Sequence, residues 1–277
     1  MTKREQVNLA KEVLTIEKEG SLVWLKLNRL EASNSLSREL LTAIQAACAR
    51  LTDDRKAHIV AIIGAGTKVF SAGADLKERQ SMSAAELVDY HALIQGTMLA
   101  VENLPQTVIA ALNGSAFGGG TELALACDLR VIVKNATLQM TEVRLGIIPG
   151  AGGTQRLPRL IGEGRAKEMI LAAASVSAEQ AYQFGLVNRI VEHNVQGHAD
   201  FHQPLMDEVR AWAKEIDKAA PLALRQAKRA INSGCDQDLL AGLALETKAY
   251  LQLLNTKDRL EGLAAFTEKR QPQYAGE

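Results

Sequence analysis

Short runs of Val, Ile, Leu and Ala recur along the first two-thirds of the chain, with segments of helical periodicity between them. This alternation constrains the fold more than any other feature. A run of four to six apolar, often β-branched residues bounded by turn formers suits a strand covered on both faces, and helices commonly do the covering. Val13–Ile16 and Leu22–Leu27 read as two short strands, with the turn signal Lys18-Glu19-Gly20 between them. In the second, Val23, Leu25 and Leu27 alternate with Trp24, Lys26 and Asn28, as in a half-buried strand. Leu40, Leu41, Ile44, Ala47, Cys48 and Leu51 then fall at helical spacing behind Ser37, a suitable N-cap. His58–Ile63 is a further buried strand ending at Gly64, and a loop with Gly66 and Gly73 follows. Ser83 and Glu86 form a capping box that opens a helix running to about Leu104, where Pro105 stops it. Val108–Leu112 and Leu129–Val133 are strands again, and the helix between them follows Gly118-Gly119-Gly120. The rhythm of strand, strand and helix predicts an α/β core of stacked, similar turns, although the sequence itself does not visibly repeat.

After Val191 the pattern changes. His193–His202 is polar and reads as a linker, and beyond it only helical segments are expected, over 203–218, 221–233, 238–254 and 258–268. The chain is accordingly divided into a core over 1–195 and a helical region over 196–277. Amphipathic helices need a surface to cover, either their own core or a neighbouring subunit. With 277 residues and 47% hydrophobic content the chain can bury a large core. Its 32 basic and 32 acidic residues cancel, which leaves no general electrostatic footprint for nucleic acid. Cys48, Cys127 and Cys235 lie far apart without metal-ligand spacing and suit free thiols in a reducing compartment. No apolar run approaches the roughly 20 residues that span a bilayer. The N-terminal segment Met1–Val13 mixes charges of both signs and lacks the apolar stretch of a secretory signal. The expected setting is the cytoplasm, or the mitochondrial matrix for a mature organellar protein.

Three features could carry chemistry. In Phe70-Ser-Ala-Gly-Ala-Asp75 a glycine among small residues lets a ligand approach the backbone, although an ordinary strand-to-helix turn looks the same. In Asn113-Gly-Ser-Ala-Phe-Gly-Gly-Gly-Thr-Glu122 three glycines precede a helix. The unpaired N–H groups and positive dipole end there favour developing negative charge, while tight helix–sheet packing would explain the glycines equally well. The segment matches neither phosphate-loop pattern, G-x-x-x-x-G-K-[ST] nor G-x-G-x-x-G. Third, Glu122 and Glu142 are twenty residues apart with a helix and a strand between, so the fold can bring them together. Two carboxylates can hold a water and manage its protons. A glutamate is usually a solvated surface group, but Glu122 opens the apolar helix Leu123-Ala-Leu-Ala-Cys127, so it either caps that helix or faces a buried site. The five histidines form no persuasive metal pair, and His198 and His202 fall in or beside the linker. No G-x-S-x-G elbow suggests a serine hydrolase.

Ala110-Ala-Leu-Asn-Gly-Ser-Ala-Phe-Gly-Gly-Gly-Thr-Glu-Leu-Ala-Leu-Ala-Cys-Asp128 and Thr141-Glu-Val-Arg-Leu-Gly-Ile-Ile-Pro-Gly-Ala-Gly-Gly-Thr-Gln-Arg-Leu-Pro-Arg159 together resemble the signature of the crotonase (enoyl-CoA hydratase/isomerase) superfamily. The resemblance runs from Val13 to Gly276. Finer stretches, Asn34–Ser37, Gly73–Arg79, Met82-Ser83, Thr256–Gly262 and the tail Glu268–Glu277, are similar to the branch that hydrates 3-methylglutaconyl-CoA and has members that bind AU-rich RNA. The resemblance implies a spiral of strand-strand-helix turns followed by a helical trimerisation region, assembled as a hexamer from two trimers. It implies an oxyanion hole from the N–H groups of Ala74 and Gly119, with Glu122 and Glu142 as catalytic residues around a water. It places the adenine of coenzyme A near Ala72, with contacts from Arg29 to Ala32 and along Gly73, Asp75, Leu76, Lys77 and Arg79. Phe266 and Lys269 of a neighbouring subunit would reach the nucleotide end. Leu30 departs from the proline common before the coenzyme-binding turn.

The activity so implied is hydration of a 2-enoyl-CoA thioester, with coenzyme A as part of the substrate and neither metal nor separate cofactor. An isomerase is the alternative, and retention of both glutamates favours the hydratase. RNA binding as a second role is not expected, because Lys77-Glu-Arg79 supplies only two bases before Ser83 and the net charge is zero. A purely structural role would leave two well-placed glutamates idle. Burying the second carboxylate of a methylglutaconyl group calls for a cation near the acyl pocket. Arg79 is the candidate, against the plainer reading of a solvated surface arginine, and Arg144 is a weaker one.

Overall fold

The computed structural model describes residues 12–192 and 202–277. Most of the sequence expected to link core and helical region, and the N-terminal segment before Glu12, therefore lie outside the described residues. The chain begins with β1 (Leu14–Glu19), β2 (Leu22–Leu27), a one-turn helix over Leu30–Ala32 and α1 (Arg38–Thr52). Next come β3 (Ile59–Gly64), β4 (Val69–Ser71), α2 (Leu76–Gln80) and α3 (Ala84–Glu102). β5 (Thr107–Leu112), β6 (Ser115–Phe117), α4 (Gly119–Ala126), β7 (Leu129–Val133) and β8 (Thr137–Gln139) follow. A one-turn helix over Glu142–Leu145 precedes α5 (Gly153–Ile161), α6 (Glu163–Leu171), β9 (Ser175–Ser177), α7 (Ala178–Gln183) and β10 (Arg189–Val191). The chain ends in α8 (Gln203–Ile216), α9 (Pro221–Gly234), α10 (Leu239–Leu251) and α11 (Lys257–Glu268).

The larger sheet has the order β1-β2-β3-β5-β7-β10, and the smaller has β4-β6-β8-β9. From β2 to β10 the large sheet is parallel, and only β1 pairs antiparallel. All six residues of β3 are buried, which explains a strand that reads as an unbroken apolar run. Successive turns pass through the large sheet, the small sheet and a helix: β3, β4 and α3, then β5, β6 and α4, then β7, β8 and α5. These are the stacked α/β turns that the strand-strand-helix rhythm implied, wound as the spiral that the family resemblance implied. Ser37 caps α1 by accepting from the Leu40 amide. Ser83 and Glu86 complete their capping box on α3.

The small sheet positions the chemistry. β4 runs into Ala72–Asp75 and the start of α2, while β6 runs into Gly118 and α4. Gly120 lacks room for a side chain, since a Cβ there would lie 2.4 Å from Ser71 O. That close approach seats α4 directly on the end of β4.

The helical region is not uniform. α8 belongs to the core, burying Leu205, Val209 and Ala213 with the sheet residues. α9 is tied down by Lys228, whose Nζ donates to Asp128 Oδ2 at 2.7 Å and to Gln106 O at 2.9 Å. In contrast, α10 and α11 leave Leu239, Leu240, Leu263 and Phe266 mostly exposed. Buried Asp258 near the start of α11 accepts the Ala275 and Gly276 amides and folds the C-terminal tail back.

Candidate active site

Two cavities meet at Ala74, which lines both. The first, of about 550 Å³, is bordered by Arg29, Ala32, Ala72, Asp75, Leu76 and Lys77. Most of the residues expected along a bound coenzyme therefore share one groove. Two of them are committed to each other. Arg29 Nη1 lies 2.9 Å from Asp75 Oδ2 and also donates to the Ser35 carbonyl and hydroxyl. Asp75 caps α2 through the Glu78 amide and accepts from Ser35 Oγ at 3.0 Å. Burial opposes the charge on Asp75, but the Glu78 amide, Arg29 and Ser35 outweigh it and hold the carboxyl below its usual range. Arg29 and Asp75 thus shape the groove wall, whereas Lys77 has no ion-pair partner among the described residues.

The second cavity, of about 640 Å³, is lined by Ala74, Gly119, Glu122, Glu142, Arg79 and Tyr90, among others. Gly73 adopts φ +86°, and a Cβ on it would meet Phe117 O at 2.6 Å and Gly119 N at 3.0 Å. Glycine is therefore required both for the backbone conformation and for the approach of the two segments. A Cβ on Gly119 would lie 3.4 Å from Ala74 N, so the Ala74 and Gly119 amides are neighbours. Neither donates to another protein group among the described residues. Two free N–H donors side by side, one at the first residue of α4, can receive an oxygen that gains negative charge. Tyr90 braces this arrangement. Its hydroxyl donates to Leu36 O and accepts from the Asp75 amide, on either side of the Leu36–Ala74 bridge.

Glu122, on the first turn of α4, is 3% exposed and Glu142 is 8% exposed. Glu122 Oε1 accepts from the Ala151 and Gly153 amides, both at 2.8 Å. Burial pushes its carboxyl up to about 7, with the negative field of Glu142 adding to the effect; the two amides and Arg156 oppose it. Burial also raises Glu142, whose Oε2 is enclosed without a hydrogen-bond partner. Two adjacent carboxyls with raised proton affinity suit one acid and one base near neutral pH.

Arg79 lines this cavity and stands over the Tyr90 ring, 5.8 Å from its centroid. It has no carboxylate partner among the described residues. Arg144 instead donates to the carbonyl of Ala173 at 3.1 Å and holds the loop before β9. Phe266 and Lys269 line neither cavity, and Phe266 on α11 is 85% exposed. Lys269 closes α11 in a left-handed conformation. Among the described residues no cluster of three or more His, Cys, Asp or Glu side chains is placed to hold a metal ion. Tyr90, Ser35 and the Glu102–Arg156 pair were not identified from the sequence. Their partners lie far away in the chain, and a tyrosine on an apolar helix looks like any core residue.

The enoyl-CoA hydratase/isomerase family model matches residues 17–277. A putative enoyl-CoA hydratase/isomerase of Bacillus subtilis, YngF, is 46% identical over 264 residues, covering 95% of this chain and 98% of that protein. The mitochondrial methylglutaconyl-CoA hydratase of Rattus norvegicus is 44% identical over 261 residues, covering 94% of this chain and 81% of that one. The crystal structure of an enoyl-CoA hydratase from Bacillus anthracis superposes with a TM-score of 0.90 at 46% identity, covering 96% of this chain and all of that one. With the family signature spanning nearly the whole chain and the same spiral in solved relatives, the protein belongs to the enoyl-CoA hydratase/isomerase family of the crotonase superfamily.

Proposed function

We propose that the protein is an enoyl-CoA hydratase that adds water across the conjugated double bond of 2-enoyl-CoA thioesters, 3-methylglutaconyl-CoA among them. One observation carries this reading: Glu122 and Glu142 line the same cavity as the free amides of Ala74 and Gly119. The coenzyme extends along the groove beside Ala72 and Lys77, and the thioester crosses Ala74 into the second cavity. The two amides bind the thioester oxygen and draw electron density away from the β-carbon. A water between the glutamates gives its hydroxyl to the β-carbon and a proton to one carboxylate. The π electrons move toward the thioester oxygen as an enolate, which the amides and the positive end of α4 stabilise. A proton from the other carboxyl reaches the α-carbon, and water has been added without electron transfer. An isomerase moves one proton between carbons and can run on a single acid–base group, so paired glutamates favour hydration. Arg79 is the cation assigned to the distal carboxylate of a methylglutaconyl group. Phe266 and Lys269 are assigned to the nucleotide end of a neighbouring subunit's substrate.

The test is product analysis with crotonyl-CoA and 3-methylglutaconyl-CoA by mass spectrometry. Hydration adds the mass of one water and isomerisation adds none. Glu122→Gln and Glu142→Gln are each expected to lower turnover by about 10²–10⁴-fold while thioester binding persists. Arg79→Met should lower kcat/KM for methylglutaconyl-CoA and spare crotonyl-CoA. Near-normal turnover in either glutamine variant removes the two-glutamate mechanism. Equal effects of Arg79→Met on both substrates, or none, remove Arg79 from acyl recognition.

A further inference from the structure

The loop that donates to Glu122 is itself held from behind. Ala151 and Gly153, whose amides meet Glu122 Oε1, flank Gly152 at the start of α5. Arg156, one turn into α5, returns across this loop and donates from Nη1 to the Ala151 carbonyl at 2.9 Å. Its Nε and Nη2 bind both oxygens of Glu102, the last residue of α3, at 2.9 and 2.7 Å. The guanidinium is only 15% exposed. Gly152 adopts φ +106°, and a Cβ there would lie 1.9 Å from Arg156 Nη1. The loop is therefore shaped around the guanidinium, which sits in a space no side chain at 152 could share.

We propose that Arg156, held by Glu102, is a positioning residue for Glu122. It fixes the Ala151–Gly153 amides on Oε1 and leaves Oε2 for the cavity. Its positive charge, only part-cancelled by Glu102, favours the ionised form of the Glu122 carboxyl. A bidentate arginine–carboxylate pair suits this role because it fixes orientation as well as charge.

Other groups around Glu122 set the background. Glu142 faces it from the 142–145 turn and raises its proton affinity. Tyr90, His91 and Arg79 line the same cavity. Behind Arg156 lies the Cys127 thiol, which burial pushes up to about 12 and which stays neutral.

The proposal rests on the hydratase reading for its kinetic readout, but the titration of Glu122 can be read without turnover. Its 13C carboxyl resonance, assigned by its loss in Glu122→Gln, is followed with pH in the wild type, Arg156→Met and Glu102→Gln. Removing the guanidinium should move the Glu122 midpoint up. Neutralising Glu102 leaves Arg156 uncompensated and should move the midpoint down. A merely structural clasp would give no such opposition of sign. In turnover, Arg156→Met should lose at least tenfold in kcat with KM little changed, and Arg156→Lys should recover part of that loss. Midpoints that stay fixed, or that move the same way in both variants, overturn the proposal. If Arg156→Met does not fold, the direction of shift in Glu102→Gln decides alone. A wild type that does not hydrate any enoyl-CoA would overturn the hydratase reading and leave the titration result standing.

Discussion

Glu122 occupies a position where its charge is costly to the fold. It is 3% exposed, and burial, aided by Glu142, lifts its carboxyl from 4.5 to about 7. The folded state therefore holds a proton that the unfolded chain releases between these pH values. Stability falls as pH rises through that window, and the loss is complete above about pH 7. The raised affinity corresponds to a penalty of up to about 3 kcal/mol. Glu122→Gln keeps an oxygen that can accept from Ala151 and Gly153 but cannot ionise. Its stability advantage should be absent below pH 4.5, grow toward pH 7 and then level off. Urea midpoints of both proteins across pH 4–8 measure this. A Glu122→Gln variant equally or less stable at pH 8 would show that the amides and Arg156 already offset the burial. The carboxylate that weakens the fold is the one to which the hydratase proposal gives proton exchange, the pattern expected where a site is selected for reactivity over stability.

Among the elements, α3 links fold and chemistry. Its capping box was legible because Ser83 and Glu86 sit three residues apart, and its end because Pro105 follows closely. Its function was not legible. Tyr90 reaches Leu36 O across fifty-four residues, and Glu102 reaches Arg156 across another fifty-four. Local periodicity carries no record of such pairings. The small sheet escaped for a different reason: β4, β6, β8 and β9 are three residues each, too short to show an alternation of two. Glu122 was legible because a carboxylate opening a wholly apolar helix conflicts with simple burial. Glu142 gained meaning only beside it. The prediction at this scale is Tyr90→Phe. The ring still fills its space, but the Leu36 carbonyl and Asp75 amide both lose their partner. The variant should be about 1–3 kcal/mol less stable. If Ala74 donates to the oxyanion as proposed, loosening it should also lower kcat more than KM, since such a donor is most valuable in the transition state. Thermal unfolding together with steady-state kinetics tests both effects. Lost stability with unchanged kcat would confine Tyr90 to packing.

At the scale of the whole molecule, the region after residue 202 divides by what it covers. α8 closes the large sheet with Leu205, Val209 and Ala213, and Lys228 anchors α9 through Asp128. Truncation near residue 200 would uncover the core, and so could not separate folding from assembly. α10 and α11 are different. Leu239 and Leu240 are more than three-quarters exposed, and Leu260, Leu263 and Phe266 project from α11. An apolar surface of this kind calls for a partner, and a second copy of this chain is the partner that the family resemblance implies. Leu263→Glu with Phe266→Glu places two charges one turn apart on that surface and leaves the core untouched. Wild-type protein should sediment as a trimer or hexamer, and the double variant as a smaller, folded species. If Phe266 reaches a neighbouring subunit's coenzyme, the variant should also show a raised KM for acyl-CoA. This defect should not be relieved by a higher protein concentration that restores assembly. A wild type that sediments as a monomer, or a double variant that assembles normally, would show that these helices serve some other surface. A raised KM without dissociation would retain the coenzyme contact and remove the assembly role.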